Sequence, residues 1–189
     1  MKPWVPAGLL LALAACNPPA WPETSPPPTT SGSLPACSAI AFNAAGTGLN
    51  SNTFTQALNQ IRAAPCRCAK EDFPSPSPPV TWNPLLEGAA QAHSQDMQQH
   101  NFFSHTGSDG SNPGQRIART GYSAASWGEN IAAGYPDMNT VLRGWLESKS
   151  GHCEAIKNPS FSEIGAALVE GSSSNTYRTY WTLVLARPR

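Results

Sequence analysis

The chain has 189 residues, and its 12 Lys and Arg balance 12 Asp and Glu, so the formal net charge is zero. Charged residues make up 13% of it, about half the usual ~25% of a soluble domain. No Lys- or Arg-rich stripe offers an electrostatic footprint for nucleic acid, and no apolar run is long enough to span a bilayer.

The first segment, residues 1–15, has one cation, Lys2, and then an apolar run from Val5 to Ala15. This fits the h-region of a secretory signal peptide. It closes on Leu13-Ala14-Ala15-Cys16, which resembles the lipobox of bacterial lipoproteins, where the cysteine is acylated and becomes the first mature residue. Acyl chains on Cys16 would anchor the protein without a spanning helix. Asn17 is not the aspartate that retains some lipoproteins at the inner membrane, so the outer membrane is favoured where one exists. Residues 16–35 are rich in Pro, Ser and Thr and read as an extended linker. Residues 36–189 remain, enough for one ordinary domain.

With Cys16 set aside, Cys37, Cys66, Cys68 and Cys153 are left. An even number in an exported protein suggests two disulfides. Cys66 and Cys68 are too close in sequence to pair easily, so two of the three arrangements stay open. Cys-x-Cys with two distant cysteines is a poor zinc spacing.

Within the domain, Phe54, Ala57, Leu58 and Ile61 have helical spacing and predict a helix over 54–64, capped by Ser51 or Asn52 and ending near Pro65. Residues 71–79 read as a Pro/Ser loop. Asn83-Pro84 is a cap followed by proline, opening a helix whose stripe is Leu86, Ala89, Ala90, His93 and Met97. His93 on that stripe reads as a core histidine bonded to a neighbour. Asn112-Pro113 repeats the signal for a short helix through Arg119, stopped by Gly121. Asp137 or Asn139 caps a helix carrying Met138, Val141, Leu142 and Trp145. Gly151-His152 begins a short turn ending at Asn158-Pro159. The period then changes to two, around Ile164, Ala166 and Leu168 and again from Tyr180 to Ala186, with 171–175 between, which predicts a β-hairpin. A further strand is expected near Asn130. Helices first and strands last imply an α+β domain, layered α-β-α.

Three polar residues recur in this apolar background: His105 after Phe102-Phe103-Ser104, Glu129 in Gly128-Glu129-Asn130, and His152 after Gly151. Their intervals are 24 (129 − 105) and 23 (152 − 129). Imidazole and carboxylate groups bind metals and move protons near neutral pH. Folded together, they would line one cleft.

The ordered set Trp82-Asn83, Phe-Phe-Ser-His-Thr-Gly at 102–107, Gly121-Tyr122, Trp-Gly-Glu-Asn-Ile-Ala at 127–132, Gly-Trp-Leu-Glu-Ser at 144–148, Gly151-His152, Ile-Gly-Ala-Ala at 164–167 and Tyr-Trp-Thr at 180–182 resembles the CAP superfamily. This is the group of cysteine-rich secretory, antigen 5 and pathogenesis-related 1 proteins, with its SCP domain. The resemblance covers about residues 52–187 and is nearest to the bacterial secreted branch. It implies an α-β-α sandwich with a central cleft, where His105, Glu129 and His152 could hold a divalent metal such as Zn2+. The second glutamate of that pattern falls at Ser148. Glu147 lies one residue early, about 100° around the helix, and is not counted as a ligand. The resemblance also implies the pairing Cys68–Cys153 with Cys37–Cys66.

No Gly-x-Ser-x-Gly elbow or His-Glu-x-x-His helix is present, and adjacency of Ser104 or Ser150 to a histidine does not create nucleophile geometry. The reading is therefore an envelope protein that recognises a small apolar ligand or a protein partner, not an enzyme. A metal-dependent, protease-like hydrolase and a lipid or sterol binder are the alternatives. Phe102, Phe103, Tyr122, Trp127 and Tyr135 are the aromatics that could line an apolar groove.

Overall fold

The computed structural model describes residues 33–46 and 48–189. The expected signal peptide, Cys16 and most of the linker lie outside the described residues.

A 3-10 turn at Cys37–Ala39 leads to α1 (Ser51–Ala63). The N-cap is Asn50, whose side chain accepts from the Thr53 amide. The expected cap at Ser51 or Asn52 is thus corrected: both lie inside the helix, because Asn50 has extended backbone and an acceptor that reaches the first turn. Two-residue strands β1 (Cys66–Arg67) and β2 (Asp72–Phe73) pair antiparallel, so the Pro/Ser segment begins with a small ladder. Then come β3 (Thr81–Trp82), α2 (Pro84–Gln99), α3 (Pro113–Arg119), β4 (Ala124–Ala133), α4 (Met138–Glu147), α5 (His152–Lys157), β5 (Glu163–Glu170) and β6 (Thr179–Pro188). Asn83, Asn112 and Asp137 each cap their helix as their sequence positions imply. Gln115 completes a capping box with Asn112.

The main sheet has the order β3-β5-β6-β4. The terminal hairpin β5–β6 forms its centre, β4 pairs antiparallel to β6, and β3 pairs parallel to β5. Strand alternation sorts the side chains into two layers. Trp181, Leu183, Leu185, Ile164 and Ala166 pack with α1, α4 and α5 on one face. Val184, Ala186 and Ala167 pack with Leu86, Ala89, Ala90 and Ile117 of α2 and α3 on the other. At Gly165, α2 crosses the sheet so closely that a Cβ would lie 2.0 Å from the Glu87 amide nitrogen. The fold is thus an α-β-α sandwich of the α+β class.

The α1/α4/α5 layer is pinned by sulfur and by buried cations. Disulfides join Cys37 to Cys66 and Cys68 to Cys153. Arg62, fully buried on α1, donates to the carbonyls of Pro78, Ile156, Asn158 and Phe161. Lys157, fully buried at the end of α5, donates to the carbonyls of Ile61, Arg62 and Ala64. These carbonyls lie in the last turn of α1 and at its C-cap, where the intrahelical ladder ends. Burial lowers Arg62 to about 10 and Lys157 to about 8, and both remain cationic at neutral pH.

Arg62→Met keeps the volume and removes every donor from four carbonyl contacts. It should cost roughly 2–4 kcal/mol and lower the melting temperature by about 5–15 °C, read by calorimetry. An unchanged melt would show that water satisfies those carbonyls equally well.

Candidate functional site

β4 is one edge strand of the main sheet, and the predicted polar residues gather around it. Glu129 is almost fully buried, its side chain 2% exposed. Its Oε1 accepts from His105 Nδ1 at 2.8 Å, and its Oε2 from Arg116 Nη2 at 2.8 Å. A carboxylate only accepts when ionised, so His105 carries its proton on Nδ1 and turns Nε2 outward. Arg116, on α3, also donates to the Ser111 and His105 carbonyls. The loop after α2 is therefore bound to α3 and β4 through one guanidinium.

His93 lies beneath this cluster on α2 and is fully buried. Its Nε2 is 2.9 Å from the Ser104 carbonyl and 3.9 Å from Glu129 Oε1, while its Nδ1 has no partner among the described residues. Sequence reasoning places it in the core but not against Glu129, because its four-residue neighbours on α2 do not reveal which strand it meets.

His152 sits on the other side of the edge. Glu129 belongs to the set of β4 side chains facing α2 and α3, whereas Asn130 points the opposite way and donates to the His152 carbonyl at 3.0 Å. The His152 Nδ1 pairs with Ser148 Oγ at 2.9 Å, so the position where the resemblance expects a glutamate still serves this imidazole. Gly151 precedes the helix at φ 97°, a left-handed turn that a side chain would strain. Cys153 ties the same turn to Cys68. Among the described residues, the one group of three or more His, Cys, Asp or Glu ligand atoms within 4.8 Å of one another is Cys37, Cys68 and Cys153, all oxidised in disulfides. The ligand atoms of His105, Glu129 and His152 are not gathered in that way. Nε2 of each imidazole has no protein partner among the described residues, which leaves two nitrogen donors free for an incoming ion or ligand.

Beside His152 opens a cavity of about 450 Å³ lined by Phe103, Ile131, Ala132, Ala133, Tyr135, Gly144, Trp145, Glu147, Ser148, His152 and Tyr177. Of the aromatics expected there, Phe103 and Tyr135 contribute. The other three do not. Phe102 packs with Met97, Ile131 and Tyr180 and meets the edge of His93. Tyr122 is buried against α2 and donates to Glu163. Trp127 is 44% exposed and lies over Gly114 of α3. Trp127 stands near the start of β4, over α3, whereas the cavity lies at the far end of the strand at Ile131–Ala133, and no local signal in the sequence conveys that. Trp145 and Tyr177 line the cavity without having been expected to. Trp145 reads as core by its helical spacing, and Tyr177 lies in a loop whose path depends on the hairpin.

Burial lowers the affinity of both His93 and His152 for a proton below the ordinary value of 6.5, with His105 adding to the effect at His152. Below that value the unfolded chain binds more protons than the folded one, so unfolding is favoured by acid and unaffected above it. The urea midpoint should therefore fall steadily from about pH 6.5 to 5, with a smaller fall in His152→Asn. A midpoint constant across that range would mean that both imidazoles accept protons in place.

The sequence matches the family model "CAP: Cysteine-rich secretory protein family" over residues 55–185. It is 36% identical over 95 residues to the uncharacterized protein YkwD of Bacillus subtilis, covering 50% of this chain and 37% of that protein. It is 31% identical over 89 residues to the uncharacterized membrane protein YlbC of the same organism, covering 47% of this chain and 25% of that one. The chain thus spans well under half the length of the curated relatives it matches. Among solved structures it is similar to an extracellular SCP-domain protein of Bacillus anthracis, at 27% identity and a TM-score of 0.58, over 72% of this chain and 40% of that chain. It also shares its fold with an outer surface protein of Borrelia burgdorferi, at 24% identity and a TM-score of 0.52, over 58% of this chain and 78% of that one. The motif order, the sandwich and the family match agree: the chain belongs to the CAP family of cysteine-rich secretory proteins.

Proposed function

We propose that this is an exported recognition protein of the cell envelope, held by an acylated Cys16, whose ligand enters the cavity at the β4 edge. The observation that carries the reading is the cavity itself. It is open and aromatic on one side, and it ends at His152, Ser148 and Glu147. Such a mixture of apolar wall and a few polar groups is the usual makeup of a ligand site. The extracellular and outer-surface descriptions of two similar proteins support export. Glu129 has both oxygens committed to Arg116 and His105, so it is placed to orient an imidazole rather than to act as a free base. This favours binding over a hydrolytic reaction.

A second reading, a divalent-metal site, rests on the paired imidazoles. In each ring Nδ1 is held and Nε2 has no protein partner among the described residues, the arrangement by which outer partners orient metal-binding histidines. His105 and His152 would hold the ion with Glu129 behind His105. A bound Zn2+ would supply Lewis acidity and a coordination point for a ligand anion.

Two measurements test these readings. An environment-sensitive apolar dye should bind the intact protein at one site, and Tyr177→Ala should weaken it about tenfold; equal binding by the variant would remove the cavity as the site. Calorimetric titration of Zn2+ should give one site that both His105→Ala and His152→Ala abolish. Zn2+ binding that survives either substitution would reject the paired-imidazole site.

A further inference from the structure

The cavity carries more than an apolar wall, because its charge and its aromatic faces are of one kind. Tyr135 lies across Gly144 of α4, where a Cβ would come within 2.5–2.7 Å of its hydroxyl and ring carbons. Gly144 is therefore the bare spot that lets this ring rest on the helix. Glu147 is three residues further on and so shares that helix face. Tyr177 packs beside Gly134, 3.8 Å from where a Cβ would stand. Its ring centroid is 5.8 Å from that of Phe103, with the planes at 59°. Phe103 and Tyr177 are 44% and 38% exposed, and both line the cavity with Tyr135 and Trp145. Four aromatic side chains thus border one space, and two of them remain accessible at its rim.

Glu147 is the only Asp, Glu, Lys or Arg among the residues lining that space. It is exposed and takes part in no salt bridge or side-chain hydrogen bond among the described residues. Ring faces carry partial negative charge and attract cations, most strongly organic ammonium groups, which shed water easily. A carboxylate beside the rings adds to the same preference. A purely apolar ligand would use the walls and leave Glu147 to be partly covered without a partner, which is unfavourable.

We infer that the cavity binds a ligand bearing an organic ammonium group, with the cation seated among Phe103, Tyr135 and Tyr177 and facing the Glu147 carboxylate. This deepens the ligand-binding reading above and rests on it. A cavity of about 450 Å³ is larger than an ammonium head alone, so the natural ligand carries a further body along the Ile131–Ala133 wall. The seat draws on the aromatic rings and the Glu147 carboxylate and on neither imidazole, so it needs no metal.

The test uses choline and its neutral isostere 3,3-dimethylbutan-1-ol, titrated into the full protein in chelator and followed by tryptophan fluorescence and NMR. Choline should bind at least tenfold more tightly than the neutral alcohol. Glu147→Gln should lower choline affinity about three- to tenfold and leave the alcohol unchanged, and Tyr177→Ala should weaken choline at least tenfold. Circular dichroism and melting temperature confirm that both variants fold. Equal affinity for the two probes overturns the ammonium inference and leaves the ligand cavity standing. Choline binding that ignores both substitutions places the cation elsewhere and overturns it as well. Failure of choline, the alcohol and the apolar dye alike overturns both readings.

Discussion

The buried carboxylate of Glu129 is the constraint on which the site depends. A charge that is 2% exposed is stable only with a full set of partners. Arg116 provides the compensating cation and His105 the second donor. Because Arg116 also holds the Ser111 and His105 carbonyls, the loop from Ser104 to Ser111, α3 and the edge strand form one connected unit. The price of burying the pair is high, so loss of either member would leave an unpaired charge, and loss of Arg116 would break all three of its connections together. The orientation of His105 is therefore a consequence of ion-pair burial rather than of loop preference.

Strand alternation then divides the polar set. Glu129 and His93 belong to the layer of α2 and α3, while Asn130 reaches across to fix the turn of His152. The two imidazoles approach the β4 edge from opposite layers, each held through Nδ1 by a different partner. The cavity forms at this edge because a β4 side chain there has no neighbouring strand to cover it, and α4 and the β5–β6 loop supply the missing walls.

The opposite layer solves a different problem. Arg62 and Lys157 are buried without facing a carboxylate and instead satisfy seven carbonyls. These belong to a helix end and to irregular backbone, where the regular ladder of backbone hydrogen bonds runs out. Two disulfides complete the same region. The turn that positions His152 thus stands on a rigid base even though α5 has only six residues.

Much of this was legible in the chain itself. Asn83-Pro84, Asn112-Pro113 and Asp137 mark helix starts because capping is a local interaction between a side chain and amides two or three residues away. The change from helical to alternating period marks the hairpin for the same local reason. The ordered motifs identify the family and single out His105, Glu129 and His152. Tertiary structure alone decided the rest. The partner of Glu129 on α3, the position of His93 beside it, the exclusion of Tyr122 and Trp127 from the cavity and the arrival of Tyr177 all depend on which elements meet across the sheet. Local sequence encodes the face a residue shows, and long-range packing chooses what that face will touch.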